Sequence, residues 1–179
     1  VYDTVALAKG TGSAIVDGGG KSWYFLTADY AFGHALEADT TAVVKAKGGN
    51  VVGAVRHPLN ASDFSSFLLQ AQNSKAQILG LANAGGDTIN SIKAAKEFGI
   101  GKSMKLAGLL IFISDVHSLG LRNTEGLQFT TSMGVATADH RHSSLRAWTN
   151  AADAELYQAK AAGRNRVSAS SMPDMAPVV

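Results

Sequence analysis

Trp23-Tyr24-Phe25-Leu26-Thr27-Ala28-Asp29-Tyr30-Ala31-Phe32-Gly33 is the stretch that decides how the chain is read. Its first four residues are apolar and aromatic without alternation, as expected of a strand buried on both faces. Thr27-Ala28-Asp29 ends the run. Residues 31 to 47 then carry helical spacing and stop at Gly48-Gly49, a helix C-terminal signal. A buried strand handing directly to an amphipathic helix is half of a parallel crossover unit.

The same unit recurs on both sides. Upstream, a helix over residues 3 to 17 stops at Gly18-Gly19-Gly20. Downstream, Val51-Val52-Gly53-Ala54-Val55 predicts the second strand, and Ser62 stands where it would cap a helix. Phe64, Phe67, Leu68 and Ala71 of that helix fall at i, i+3, i+4 and i+7, one face against a sheet. Ile78 to Leu81 reads as the third strand, with a helix over 86 to 98 ended by Gly99. Leu106 to Ile113 reads as the fourth strand and Leu127 to Thr131 as the fifth. A last helix, 143 to 162, would bury Leu145, Trp148, Ala152, Leu156 and Ala159. Residues 168 to 179, with two prolines and several serines, predict a loose tail.

Composition narrows the class. Of 179 residues, 46% are hydrophobic and 17% charged, and mean hydropathy is +0.06. That supports a packed core and argues against disorder. Sixteen basic against fourteen acidic residues leave +2, too even a balance for a nucleic-acid surface. The absence of cysteine excludes disulfides, thiolate metal sites and a cysteine nucleophile. The longest apolar run, Leu106 to Ile113, is far short of the ~20 residues that span a bilayer, so no membrane insertion is expected. Val1 to Lys9 reads as the inside of an amphipathic helix rather than a signal peptide, so the expectation is that the chain begins within something larger.

These units predict an α/β fold: one three-layer αβα flavodoxin-like domain, a five-stranded parallel sheet in the order 2-1-3-4-5. In that order the winding reverses between strands 1 and 3, and ligands settle at the carboxyl ends there. The loops at that point are Thr27 to Gly33 and Ala82-Asn83-Ala84-Gly85-Gly86-Asp87-Thr88. Tyr30, Phe32, Asn83 and Asp87 give them an aromatic pair, an amide and a carboxylate, equipment for a small polar-aromatic molecule. Phe32 equally suits a core position at a helix start.

At these residues the chain resembles the second lobe of type I periplasmic solute-binding proteins of ABC transporters, the branched-chain amino-acid family and its aromatic-acid-binding relatives. Tyr2-Asp3-Thr4, Lys9-Gly10-Thr11-Gly12, Phe25 to Gly33, Arg56 to Phe67, Leu81 to Thr88 and Phe112 to His117 carry the resemblance, which covers residues 1–131. It implies that Tyr30 closes over a ligand. It also puts Asp87 near a position where some members hold an ammonium group with an acid. The family's first lobe is missing. The implied properties are a non-enzymatic binding lobe, a small-molecule ligand, an ABC permease partner, periplasmic location and no cofactor.

A second resemblance covers 132–167. Ser132-Met133-Gly134-Val135-Ala136 and Ala152-Asp153-Ala154-Glu155-Leu156-Tyr157-Gln158-Ala159-Lys160-Ala161-Ala162-Gly163-Arg164-Asn165 look like the end of a GGDEF diguanylate cyclase domain. It implies phosphate contact for Lys160 and Arg164, and a chimera joined near residue 131, natural or recombined. The family's signature loop is absent, so no guanylyl transfer follows. The residues divide as 1–131 binding lobe, 132–167 a strand and helix completing it, and 168–179 tail.

Other features read plainly. Asp139, His140 and His142 sit in a polar loop, and a metal site needs three or four converging ligands, so no metal is expected. His34, His57 and His117 form no recognisable triad. Lys160, Arg164 and Arg166 complement a helix end. Trp148 and Tyr157 fall at core and rim spacing. A binding lobe, an inactive nucleotide-related signalling fragment (cytoplasmic if recombined) and a scaffold without ligand remain the readings.

Overall fold

Strand β1 (Ser22–Ala28) is buried along almost its whole length and forms the axis of the molecule. Trp23 and Phe25 point to one face, Tyr24 and Leu26 to the other. Alternate residues of a strand face opposite ways, so a run that is apolar at every position requires cover on both sides. The computed structural model describes residues 3–131, 134–137, 144, 146–147, 150–151, 154, 157 and 168–169.

The chain enters through α1 (Thr4–Leu7), a π-helical turn (Ala8–Gly12) and α2 (Ser13–Asp17), which together occupy the helix expected over 3 to 17. After β1 come α3 (Ala31–Ala46), β2 (Asn50–His57), α4 (Ser65–Asn73), β3 (Ile78–Ala82) and α5 (Gly86–Glu97). A 3-10 turn (Ile100–Lys102) leads into β4 (Lys105–Gly108), followed by α6 (Ile113–Leu119), α7 (Leu121–Thr124) and β5 (Gln128–Thr131).

The five strands β2-β1-β3-β4-β5 are parallel neighbours in the predicted order. Beyond them the sheet continues. β6 (Gly134–Thr137) runs antiparallel to β5, and β7 (Ser168–Ala169) pairs with β6. A strand is expected within 132–167, but not its antiparallel direction beyond a five-stranded sheet, and Ser168–Ala169 falls in the stretch that reads as tail. Both strands are too short for hydrophobic period to register.

Two apolar layers enclose the sheet. Ile15, Val16, Leu36 and Val44 cover Trp23 and Phe25 on one face. Phe64, Leu68, Ile92 and Val116 cover Tyr24, Leu26 and Phe129 on the other. Burying a side chain of this size contributes about 1.5–3 kcal/mol. The indole Nε1 of Trp23 keeps its hydrogen bond by donating to the Gly20 carbonyl at 2.9 Å.

Two local expectations need correction. The fourth strand does not reach Ile113; it ends at Gly108, and Leu109 to Phe112 leave the ladder while staying largely buried. A Cβ at Gly108 would lie 2.1 Å from Ile111 Cδ1, so glycine is what lets Ile111 fold back over the strand end. The Phe112 backbone N–H then donates to Asp115 Oδ2 at 2.9 Å and starts α6, a helix the apolar run concealed. Ser62 does not cap α4. The N-cap is Phe64, without a side-chain cap, and Asp63 before it turns onto the helix start, its Oδ1 accepting from the Ser65 backbone N–H at 2.8 Å and from the Ser65 hydroxyl at 2.5 Å.

Described residues from 146 to 157 are helical where they can be described, and Tyr157 is largely exposed. Leu145, Trp148, Ala152, Leu156, Ala159, Lys160, Arg164 and Arg166 lie outside the described residues, as do Asp139, His140 and His142.

Candidate functional site

The site is built where the winding reverses, at the carboxyl ends of β1 and β3. The connection from β1 passes to α3 on one face, whereas those from β2 and β3 pass to α4 and α5 on the other. Loops that diverge at such a reversal are where open α/β sheets form their ligand crevice.

The first wall is the β1–α3 junction. The Asp29 backbone N–H donates to the His57 carbonyl at 2.8 Å, and Tyr30 occupies the N-cap of α3 in an extended conformation. Tyr30 and Phe32 are both half-buried, with ring centroids 6.0 Å apart. Phe32 also packs on the apolar layer around Leu36, as a core residue at a helix start does. Gly33 fixes this geometry. A Cβ there would lie 2.2 Å from the Ala28 carbonyl oxygen and 3.1 Å from that of Ala82, so only glycine lets α3 start this close to both strands. At the rim, Asp29 Oδ1 pairs with His34 Nε2 at 2.7 Å and lies 4.0 Å from Arg56 Nη1.

The second wall is the β3–α5 loop. Asn83 is fully buried, and its amide is used within the protein. Its Oδ1 accepts from the Thr88 hydroxyl at 2.8 Å, and its Nδ2 lies 3.2 Å from His57 Nε2 and 3.4 Å from Ser91 Oγ. His57 Nδ1 lies 2.8 Å from the Pro58 carbonyl, which can only accept, so Nδ1 carries the proton and Nε2 faces Asn83 as an acceptor. Phe64 packs edge-on against that imidazole with centroids 4.9 Å apart.

Asp87, in the first turn of α5, is also buried. Its Oδ2 accepts from the Asn60 backbone N–H and its Oδ1 from that of Ala61, both at 3.1 Å. Its negative charge still reaches Tyr30. Burial raises the Tyr30 phenol above its ordinary value of 10.0, and the Asp87 carboxylate adds to that rise.

The structure therefore brings Tyr30, Phe32, Asn83 and Asp87 to one end of the sheet, with different surroundings. The two aromatic rings are partly open, while the amide and the carboxylate are engaged by the protein itself. His57, Thr88 and Ser91 complete the buried network. A histidine ending an edge strand directly before a proline was the available sign of it. Among the described residues no group of three His, Asp or Glu side chains is placed to hold a metal ion. No helix among them is long and apolar enough to cross a membrane.

A cavity of about 480 Å³ lies at the opposite, amino ends of β4 and β5, lined by Lys96, Lys102, Met104, Lys105, Leu106 and Gln128 among others. It shares no residue with the crevice.

Parallel strands in the order β2-β1-β3-β4-β5, with helices on both faces, define the αβα class of domain. The periplasmic binding protein family model matches residues 1–172, and the chain belongs to that family. Members of the family are substrate-binding proteins, not enzymes. The match runs across 132–167, and the resemblance of that stretch to diguanylate cyclases, with its implied join, finds no support. A solved periplasmic binding protein of Burkholderia mallei is 67% identical, over 87% of this chain and 40% of that one, with a TM-score of 0.72. A branched-chain amino-acid ABC transporter ligand-binding protein of Burkholderia xenovorans is 34% identical over 88% of this chain and 41% of that one, TM-score 0.70. An R. palustris solute-binding protein in complex with 4-hydroxybenzoate shares the fold at 24% identity, TM-score 0.63, over 85% of this chain and 40% of that one. The chain thus spans about 40% of the length of these relatives. No curated protein sequence matches it.

Proposed function

We propose that the chain is one lobe of a periplasmic solute-binding protein that delivers a small aromatic carboxylate to an ABC permease. The Tyr30–Phe32 pair at the switch point carries this reading. Two partly open rings 6.0 Å apart offer faces and edges to a flat ligand. The Burkholderia xenovorans relative and the 4-hydroxybenzoate complex support amino-acid and aromatic-acid ligands as classes. Between the two, the engagement of Asp87 favours the aromatic acid. A carboxylate already accepting two backbone N–H groups, and 7% exposed, is poorly offered to a ligand ammonium group. Asn83 acts behind the rings by holding the β3–α5 loop.

Binding in this architecture closes two lobes around the ligand. One lobe leaves half the ligand in water, so millimolar affinity is expected, about −4 kcal/mol. An NMR titration of the ¹⁵N-labelled chain with 4-hydroxybenzoate, leucine and GTP tests the reading. Shifts centred on Tyr30 and Phe32, stronger with 4-hydroxybenzoate than with leucine, support it. Shifts with leucine alone move the ligand to the amino-acid class. Shifts with GTP alone, around Lys160 and Arg164, favour a nucleotide contact instead. No shift with any of the three leaves a scaffold.

A further inference from the structure

We infer that the loop Pro58–Ala61 is a preformed third wall of the ligand crevice, with Leu59 as a contact that sets specificity and Asp87 as the residue that positions it. This rests on the crevice being the ligand site.

The loop leaves β2, yet its backbone is held by the first turn of α5, which follows β3. In the order β2-β1-β3 it must therefore pass over the carboxyl end of β1, where Tyr30 stands. The Asp29 backbone N–H, next to Tyr30, donates to the carbonyl of His57, next to Pro58, at 2.8 Å, which ties the start of the loop to the start of the aromatic wall.

The loop is constrained on both sides of Leu59. The Pro58 ring fixes its own φ, and its carbonyl accepts from His57 Nδ1. Asn60 adopts φ 58°, the left-handed region that asparagine tolerates better than most side chains. Ala61 is buried. Pro58, Leu59 and Asn60 are all exposed, and Leu59, 51% exposed, is the large apolar side chain among them. A large apolar side chain displayed on a backbone pinned on both sides is what a binding surface needs to meet an apolar ligand body without an ordering cost. Both Asp87 oxygens face the loop's N–H groups, so its part in binding is exerted through the loop.

Amide exchange and titration with 4-hydroxybenzoate on the ¹⁵N-labelled chain decide the matter. The ligand is expected to shift the Leu59, Asn60 and Ala61 amides together with Tyr30. Leu59→Ser should weaken binding about tenfold with the melting midpoint unchanged, the low end of what losing an apolar contact does. Asp87→Asn, which replaces one of the two acceptor oxygens by an NH2 donor, should speed exchange at Asn60 and Ala61 while β1 amides stay protected. Shifts at Tyr30 with a silent loop and wild-type affinity in Leu59→Ser overturn the third wall and leave the binding reading standing. Silence at both overturns the two together. Unchanged exchange at Asn60 and Ala61 in Asp87→Asn removes the positioning role.

Discussion

Asn83 Nδ2 lies 3.2 Å from His57 Nε2, joining the end of β3 to the end of β2 across the intervening β1. The contact is fully buried, so its partners have no water to turn to. Asn83→Ala leaves the imidazole nitrogen and the Thr88 hydroxyl without this amide. Each stranded buried group costs about 1–3 kcal/mol. The expected loss is roughly 2–6 kcal/mol in urea unfolding followed by far-UV circular dichroism. A loss under about 1 kcal/mol would show that Thr88 and His57 find other partners.

Gly33 and Gly86 make a matched pair for testing backbone approach at the crevice. A methyl group at Gly33 collides with the Ala28 carbonyl, whereas one at Gly86 meets nothing within 4 Å. Gly33→Ala should destabilise by about 3 kcal/mol, at the upper end for overpacking. Gly86→Ala should be neutral or stabilising by up to about 1 kcal/mol, through reduced freedom of the unfolded chain. Equal melting midpoints for the two variants would contradict the packing at the start of α3.

Much of this was legible in the sequence, for particular reasons. β1 and β3 are apolar at consecutive positions and bounded by polar or glycine residues, so their burial and the reversal between them could be read directly. The crevice loops followed from that order. The roles of Asn83 and Asp87 did not, because they depend on Asn60, Ala61 and His57, residues 26 or 27 positions away. Nothing in local pattern says that a carboxylate will meet two backbone N–H groups brought over from another strand. α6 was hidden for a different reason: Leu109 to Ile111 are buried loop residues, and burial alone imitates a strand.

Asp63 ties the start of α4 to pH. The Ser65 hydroxyl lowers its carboxyl below the ordinary value of 3.8, and the Ser65 backbone N–H lowers it further. A carboxyl depressed in the folded state contributes stability that is present above its unfolded pKa and lost as pH falls through the folded one. Thermal midpoints of the wild type and Asp63→Ala should therefore differ at neutral pH and converge in acid below the ordinary carboxylate range. A difference that persists unchanged into strong acid would mean that the side chain acts by packing instead.

Tyr30 offers the corresponding test in alkali, and it reads the crevice itself. Burial is the larger cause of its raised phenol pKa, and the Asp87 carboxylate the smaller. Phenolate absorbance near ~295 nm, with Tyr30→Phe as the reference that removes this residue's contribution, should show Tyr30 ionising above 10.0. Asp87→Asn removes only the smaller cause, so the titration should move down without reaching the value of a free tyrosine. The stability linked to this phenol is fully present below the unfolded tyrosine pKa and is lost as pH rises through the folded one, since only the unfolded chain ionises freely between them. Tyr24, also raised by burial, contributes in the same direction, so Tyr30→Phe should reduce the alkaline loss without abolishing it. A Tyr30 titration indifferent to Asp87→Asn would separate the carboxylate from the aromatic wall. An aromatic acid that covers the ring should push the titration higher still, because it adds both desolvation and a second negative charge beside the phenol.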